Sequence, residues 1–279
     1  AALISANDSV LNVSGVTNIQ VVAAGTGSVV NANDGAILSG FSADVEFDVE
    51  DSASALIAEM GKADAASSLV EANSITVDNG NGDRVVNAND GAILAGFTAD
   101  VDFDVVDTAT AIAAEVTGSN GLGDLNEAAD VVVASGDVNA ADAAAIQQIS
   151  EYNASGSNYE ITDNAAAVIG AGNSVIENAG VSGVEVTGNA TALEGVALNA
   201  YSASVDFDVR GTIDDFTAVI NLQSSTAIST GTITTNLDNA NIVTVISGVA
   251  DVQEASDIQT IFNYDGSGSN YDIEDTAAA

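Results

Sequence analysis

The chain has 279 residues and sets 41 carboxylates against three bases, Lys62, Arg84 and Arg210, for a net charge of −38. It has no His and no Cys, which removes the usual general bases, thiol nucleophiles and zinc ligands, so no enzyme is expected. Hydrophobic residues still make up 47 %, which excludes the composition of a disordered acidic tail, and the charge excludes nucleic acid as a partner.

Taken in chain order, short alternations of apolar and polar residues mark half-buried strands. Their inward pairs are Ile19/Val21, Phe47/Val49, Ile75/Val77, Phe103/Val105, Val131/Val133 and Tyr159/Ile161, and the step from Ile19 to Phe47 repeats unchanged along this series. Val184/Val186 and Phe207/Val209 come early by three and eight residues, and the register returns at Val243/Val245 and Tyr271/Ile273, making ten pairs. Shortened connections are expected at Val184 and Phe207, with a loop or extra strand between Val209 and Val243.

The clearest identity falls at twice that period. Val29 to Glu50 (VVNANDGAILSGFSADVEFDVE) recurs two steps on as Val85 to Val106, and SGSNYEI from Ser155 recurs four steps on from Ser267. Two unit types therefore alternate. In the first, a strand runs through an Asp into a small-residue helix, so Asp51, Asp107, Asp163 and Asp275 read as helix N-caps. Gly211 takes that place after Phe207, which predicts a weaker or displaced helix. In the second type, VNANDGAIL (from Val30 and Val86) or VNAADAAAI (from Val138) places an Asn or Asp ahead of another such helix.

Alternating strands and helices predict an α/β fold with parallel strands. The expected architecture is a right-handed strand–helix solenoid of about ten ~28-residue units, with a parallel sheet along one side. A β-helix-like solenoid is the alternative. Residues 1–279 read as one continuous array of 56-residue double units. The chain ends on YDIEDTAAA, and Ala1 to Val21 align without gaps with Ala166 to Val186. The expectation is a piece of a longer tandem chain, or a subunit that stacks on itself head to tail. No apolar run reaches the ~18 residues of a membrane span, so no membrane insertion is expected. Nothing from Ala1 onward reads as a signal peptide, which puts any export signal outside this segment.

Carboxylates form two candidate cation sites. Asp44, Glu46, Asp48 and Glu50 alternate with apolar residues and leave one face of a strand, as do Asp100, Asp102 and Asp104. Such rows are either a solvated face that keeps the chain soluble or a surface that captures divalent cations, calcium first among them. The second site is Asp78-Asn79-Gly80-Asn81-Gly82-Asp83, where Asn79, Asn81 and Asp83 have the alternating oxygen spacing of a calcium loop. Arg84 stands where such a loop needs Gly, so a polar turn is the competing reading. The threonines of TGTITT (Thr230 to Thr235) form one further patch, without repetition.

The Tyr-x-Ile-x-Asp-Thr-Ala-Ala-Ala pattern from Tyr271, with its relatives at Phe47, Phe103 and Tyr159, resembles repeats of giant type I-secreted surface proteins. These are the haemolysin-like or calcium-binding repeat proteins of cyanobacteria and marine proteobacteria. The resemblance implies an extracellular or cell-surface, calcium-rich setting. It does not extend to the Gly-Gly-x-Gly-x-Asp nonapeptides that bind calcium in such proteins; GNGD at Gly80 to Asp83 is only a faint echo. The expected function is a structural segment of an extracellular rod, filament or surface layer, calcium-stabilised, with divalent cations and further copies of itself as partners. The alternative is an adhesin-type binding module for glycan or another surface.

Overall fold

Val45, Phe47 and Val49 alternate with Glu46, Asp48 and Glu50, which places the apolar three on one face of an extended chain. In the computed structural model, which describes residues 18–21, 29–41, 44–62, 69–118, 125–225 and 237–275, all three are buried, while Glu46 and Glu50 are exposed. Eight of the ten predicted pairs, from Phe47/Val49 through Val243/Val245, lie in the core; Ile19/Val21 are half-buried and Ile273 is exposed. The chain divides into two compact units, Ala1–Ala134 with Ala145–Gly156, and Ser135–Ala144 with Ser157–Ala279. The fold is mixed α/β, and its strands pair mostly in parallel.

The first unit runs β1 (Asn18–Gln20), β2 (Val29–Val30), α1 (Ala32–Ser39), β3 (Asp44–Glu46), β4 (Asp48–Asp51) and α2 (Ala53–Met60). It continues with β5 (Ile75–Val77), β6 (Val85–Val86), α3 (Ala88–Leu94), β7 (Val101–Asp102), β8 (Asp104–Thr108), α4 (Ala109–Thr117) and β9 (Asp130–Ser135). Its strands pair as β1-β3, β2-β4-β5-β7 and β6-β8-β9. The four helices pack each on the next, and α1 and α3 also lie against β4 and β8.

The pairing register differs from the sequence period. Val49, not Phe47, faces Ile75, and Val101, not Phe103, faces Ile75 on its other side, so each step across the ladder falls two positions short of the period. The cause is a break in each long strand at its Phe. Phe47 separates β3, which pairs with β1, from β4, which pairs with β2 and β5. The carbonyls of Phe47 and Phe103 accept the amides of Asn73 and Ala129, each at 2.8 Å, from the turn ahead of the following strand. The two-residue strands β2 and β6 were not legible as strands, because two residues make no period.

The second unit holds β10 (Asp137–Val138), α5 (Ala140–Ile146), β11 (Tyr159–Asp163), α6 (Ala165–Ala171), α7 (Asn173–Ile176), β12 (Val181–Ala190) and α8 (Ala192–Leu198). After these come β13 (Val205–Gly211), α9 (Ile213–Ser225), β14 (Val243–Val245), β15 (Val249–Ala250), α10 (Val252–Gln259) and β16 (Asp272–Ile273). The sheet order is β10-β11-β12-β13-β14, with β15-β16 a separate pair.

One expectation is corrected here. The helix after Gly211 is neither weak nor displaced: α9 has 13 residues, the longest among the described helices. Its start is fixed by Thr212, whose hydroxyl accepts the Asp215 amide at 3.3 Å while the Asp215 carboxylate accepts the Thr212 amide at 2.8 Å. That reciprocal box satisfies two free donors of the first turn. The helix takes up Ile213–Ser225 of the chain between Val209 and Val243, and the rest of the expected loop or extra strand, residues 226–236, lies outside the described residues. Thr230 to Thr235 lie outside the described residues.

A small residue in the helix is a packing requirement. A Cβ on Gly35 would stand 2.9 Å from Val49 Cγ2, one on Gly91 2.8 Å from Val105 Cγ2, and one on Gly195 2.7 Å from Val209 Cγ2. These three helical glycines sit over the three Phe-x-Val strands, where the bulky ring and the missing side chain fill one space.

Candidate functional site

The aspartates that end the long strands do something the sequence did not show. Asp51 Oδ1 accepts the amide of Ser52 at 2.8 Å, while its Oδ2 accepts the amide of Ala32, the first residue of α1, at 3.0 Å. Asp107 repeats this with Thr108 at 2.7 Å and Ala88 at 3.0 Å, and Asp163 with Asn164 at 2.8 Å and Ala140 at 3.2 Å. The N-caps themselves are therefore one residue later than predicted: Ser52, Thr108 and Asn164. The preceding aspartate reaches back to the helix of the previous repeat. The physical reason is proximity in the ladder: β2 lies beside β4 and β6 beside β8, so the helix that follows the short strand starts level with the end of the long one. A carboxylate there meets free amides and the positive end of the helix dipole.

The second helix type caps itself. Asn31, Asn87 and Asn139 accept the amides of Asp34, Asp90 and Asp142 at 2.9, 2.8 and 2.8 Å, and each donates its side-chain N–H to the same aspartate. The NANDG segments are helix starts.

The loop of Asp78 to Asp83 is a tight turn with three consecutive residues at positive φ, Gly80 (116°), Asn81 (60°) and Gly82 (79°). Asp78 Oδ1 accepts the amides of Gly80 and Gly82 at 2.8 and 3.0 Å, and Asp83 Oδ1 that of Val85 at 3.1 Å. Asn79 does for α2 what the aspartates do elsewhere: its Oδ1 accepts the Ala53 amide at 3.1 Å, and its Nδ2 donates to the Val85 carbonyl at 2.9 Å. Asn81 is exposed at the tip.

The acidic rows lie where the alternation puts them. Asp44 opens β3, and its side chain lies outside the described part. Glu46 is exposed, and Asp48, half-exposed, accepts the Ser74 hydroxyl at 3.0 Å. In the second row Asp100 and Asp102 are exposed and Asp104 half-exposed. Arg84 donates to Asp102 and, at 3.3 Å, to Asp104. The Asp102 hydrogen bond and the Asp104 charge push the Arg84 guanidinium above its already high range. One of the three bases of the chain thus offsets part of the charge of this row; one double unit earlier its place is taken by Ser28.

A cleft of about 440 Å³ in the second unit brings together Glu185, Asn189, Asp206, Asp208 and Asn241. It opens because β12 bulges away from β13: Glu185 faces Asp206 but Asn189 faces Asp208, and Val186-Thr187-Gly188 between them face no residue of β13, with Gly188 at φ 77°. Another, of about 510 Å³ in the first unit, lies among Leu94, Phe97, Asp100, Phe103 and Glu127. Among the described residues no three acidic side chains converge closely enough to hold an ion. No described helix is long and apolar enough to cross a membrane.

Tyr201, an exception to the repeat, donates its hydroxyl towards the Val168 and Ile169 carbonyls of α6 at 3.3 and 3.4 Å. Burial, then the Glu177 charge, pushes its phenol up. Glu177 is held below the usual carboxylate range by the backbone and hydroxyl of Ser202, whose amide it accepts at 2.7 Å. Comparison with family models, with curated proteins and with solved structures finds no match to this chain.

Proposed function

We propose that the chain is a structural, non-catalytic module: a strand–helix solenoid that serves as a segment of an extracellular or cell-surface rod, filament or surface layer. The observation that carries this reading is the repeated cap. Asp51, Asp107 and Asp163 recur once per double unit, and each joins the end of one strand to the start of the helix in the repeat before it. Residues that recur with the period serve the period. In a repeat array, stability is a sum of unit terms and nearest-neighbour terms, so such joints supply the second kind.

The array reading is tested by duplication. Residues 51–106 make one double unit, and a second copy inserted after Val106 recreates every joint. The expected product is folded, and its maximum dimension in solution scattering grows by roughly 10 Å, the width of two strands. An unfolded or unlengthened product contradicts the array.

Calcium is the proposed stabilising ion. A net charge of −38 repels itself, and salt relieves only what screening reaches, about 10 Å at 0.1 M. An ion bound specifically stabilises by mass action at millimolar concentration. Millimolar calcium is therefore expected to raise the melting temperature more than ionic-strength-matched sodium chloride. Changing Asp44, Glu46 and Asp48 to Asn or Gln reduces that difference if the strand row holds the ion; changing Asp78 and Asp83 reduces it if the loop does. Equal effects of calcium and sodium contradict the proposed ion.

A further inference from the structure

The turn of Asp78 to Asp83 holds two Asn-Gly steps, Asn79-Gly80 and Asn81-Gly82, which are equals in sequence and opposites in the fold. An asparagine followed by glycine is the step most prone to lose its side-chain ammonia. The glycine nitrogen attacks the amide carbon, and the glycine has no Cβ to obstruct it. Both glycines lie at positive φ, and a Cβ built on either would meet nothing within 4 Å, so neighbours shield neither step. The two glycine amides are also held alike, by Asp78 Oδ1 at 2.8 and 3.0 Å. What differs is the asparagine side chain. Asn79 is gripped at both ends: its Oδ1 accepts the Ala53 amide at 3.1 Å, and its Nδ2 donates to the Val85 carbonyl at 2.9 Å. Asn81 stands exposed at the tip, and among the described residues its side chain has no hydrogen-bond partner.

We propose that Asn81 is a site of self-modification, converted to aspartate and isoaspartate while Asn79 is spared, with Asp78 setting the pace. The Gly82 nitrogen gives its proton to water or hydroxide and bonds to Asn81 Cγ, and the side-chain nitrogen leaves as ammonia. Water then opens the five-membered imide. Opening at the side-chain carbonyl leaves aspartate; opening at the main-chain carbonyl leaves isoaspartate, with the backbone routed through the former side chain. The reacting atoms must first be brought to roughly 3–3.5 Å. Asn81 gets there by rotating a free side chain, whereas Asn79 must break two hydrogen bonds, each worth a factor of roughly 2 to 10. Asp78 slows both steps, because its carboxylate binds the glycine N–H and repels the anion left when that proton goes. The product adds a carboxylate between Asp78 and Asp83 at φ 60°, a backbone conformation that Asp adopts as readily as Asn. This chemistry goes beyond the structural-module reading and does not depend on it.

Trypsin cuts after Lys62 and Arg84, so one peptide, residues 63–84, carries both steps and no other Asn-Gly. The folded full chain is incubated in mildly alkaline buffer, and that peptide is mapped by fragmentation mass spectrometry against an unincubated sample. Asn81 is expected to convert, and Asn79 at least about tenfold more slowly, the combined worth of its two hydrogen bonds. In urea strong enough to unfold the chain the two convert at closely similar rates, which places the difference in the fold. Asn81→Gln, whose longer side chain would have to close a six-membered ring, abolishes conversion at the tip and leaves Asn79 as slow as before. Asp78→Asn keeps an acceptor for the glycine amides but removes the charge, and speeds conversion of Asn81 severalfold. Equal rates at Asn79 and Asn81 in the folded chain, a faster Asn79, or an Asn81 that survives folded and converts only in urea overturns the proposal. Slower conversion in Asp78→Asn overturns the restraining role of that carboxylate, which would then be the base for the Gly82 proton.

Discussion

The junction at Asp107 and the junction at Gly211 solve one problem in two ways. At the first, a carboxylate on the end of β8 holds both its own helix start and that of α3, 19 residues back. At the second there is no side chain, and the helices on either side carry closed boxes of their own, Thr191 with Glu194 and Thr212 with Asp215. The same free amides are satisfied from across the ladder in one case and from within the turn in the other. The cross-ladder solution couples repeats; the local one frees the spacing between them. This fits where each is found: Gly211 ends β13, and β12 and β13 are the two strands whose positions depart from the sequence period.

An effect of up to about 2 kcal/mol net lies beneath both junctions. Gly91→Ala or Gly195→Ala drives a methyl to within 2.8 or 2.7 Å of a strand Val, and overpacking of this kind costs about 1–3 kcal/mol, against a helix-propensity gain of roughly 1. Net destabilisation in urea unfolding, equal at the two junctions, is the expected outcome. Next comes the joint itself. Asp107→Ala removes two amide partners and is expected to cost about 2 kcal/mol, with Asp107→Asn recovering part of it. Thr212→Ala opens only a local box and costs about 1 kcal/mol.

A smaller effect has the opposite sign from what the repeat suggests. Restoring the pattern with Gly211→Asp sets a carboxylate against Asp215, whose Cβ and Oδ2 would lie 3.1 and 3.2 Å from the new Cβ. It is expected to destabilise by about 0.5 kcal/mol, the scale of a surface like-charge contact, and a stabilised variant would show that the boxes are not equivalent to the joint. The smallest concerns acid. Because Glu177 titrates below its ordinary range when folded, the stability it lends the turn before β13 is fully present above the ordinary carboxylate pKa. It is lost as the pH falls through the depressed value. Glu177→Gln should therefore lower the melting temperature at neutral pH and narrow its gap to wild type in acid.

Much of the core was legible because alternation leaves a trace in a single chain: Phe47, Val49, Phe103 and Val105 announce a buried face by their neighbours alone. The joints were half legible. The period singled out Asp51, Asp107 and Asp163, and a helix start was the correct surrounding, but which helix depends on the pairing of β2 with β4 and β6 with β8. Two valines leave no such signal. Arg84 illustrates the same limit in charge. In sequence it spoils a calcium loop, whereas in the fold it sits across the acidic row of Asp102 and Asp104. The helical glycines were visible as a recurring Asp-Gly or Glu-Gly, but nothing local says that a Phe-x-Val strand lies under them.

Backbone hydrogen exchange at Ala88, read in the wild-type chain and in Asp107→Ala, tests most directly whether the repeated aspartates join one repeat to the next. The account predicts that this single amide, 19 residues from the substitution, exchanges at least about tenfold faster in the variant, as the loss of a charge-assisted hydrogen bond requires. The amide of Asp90, capped by Asn87 in the same helix, should change far less. Equal acceleration of both amides, or none at Ala88, would contradict it.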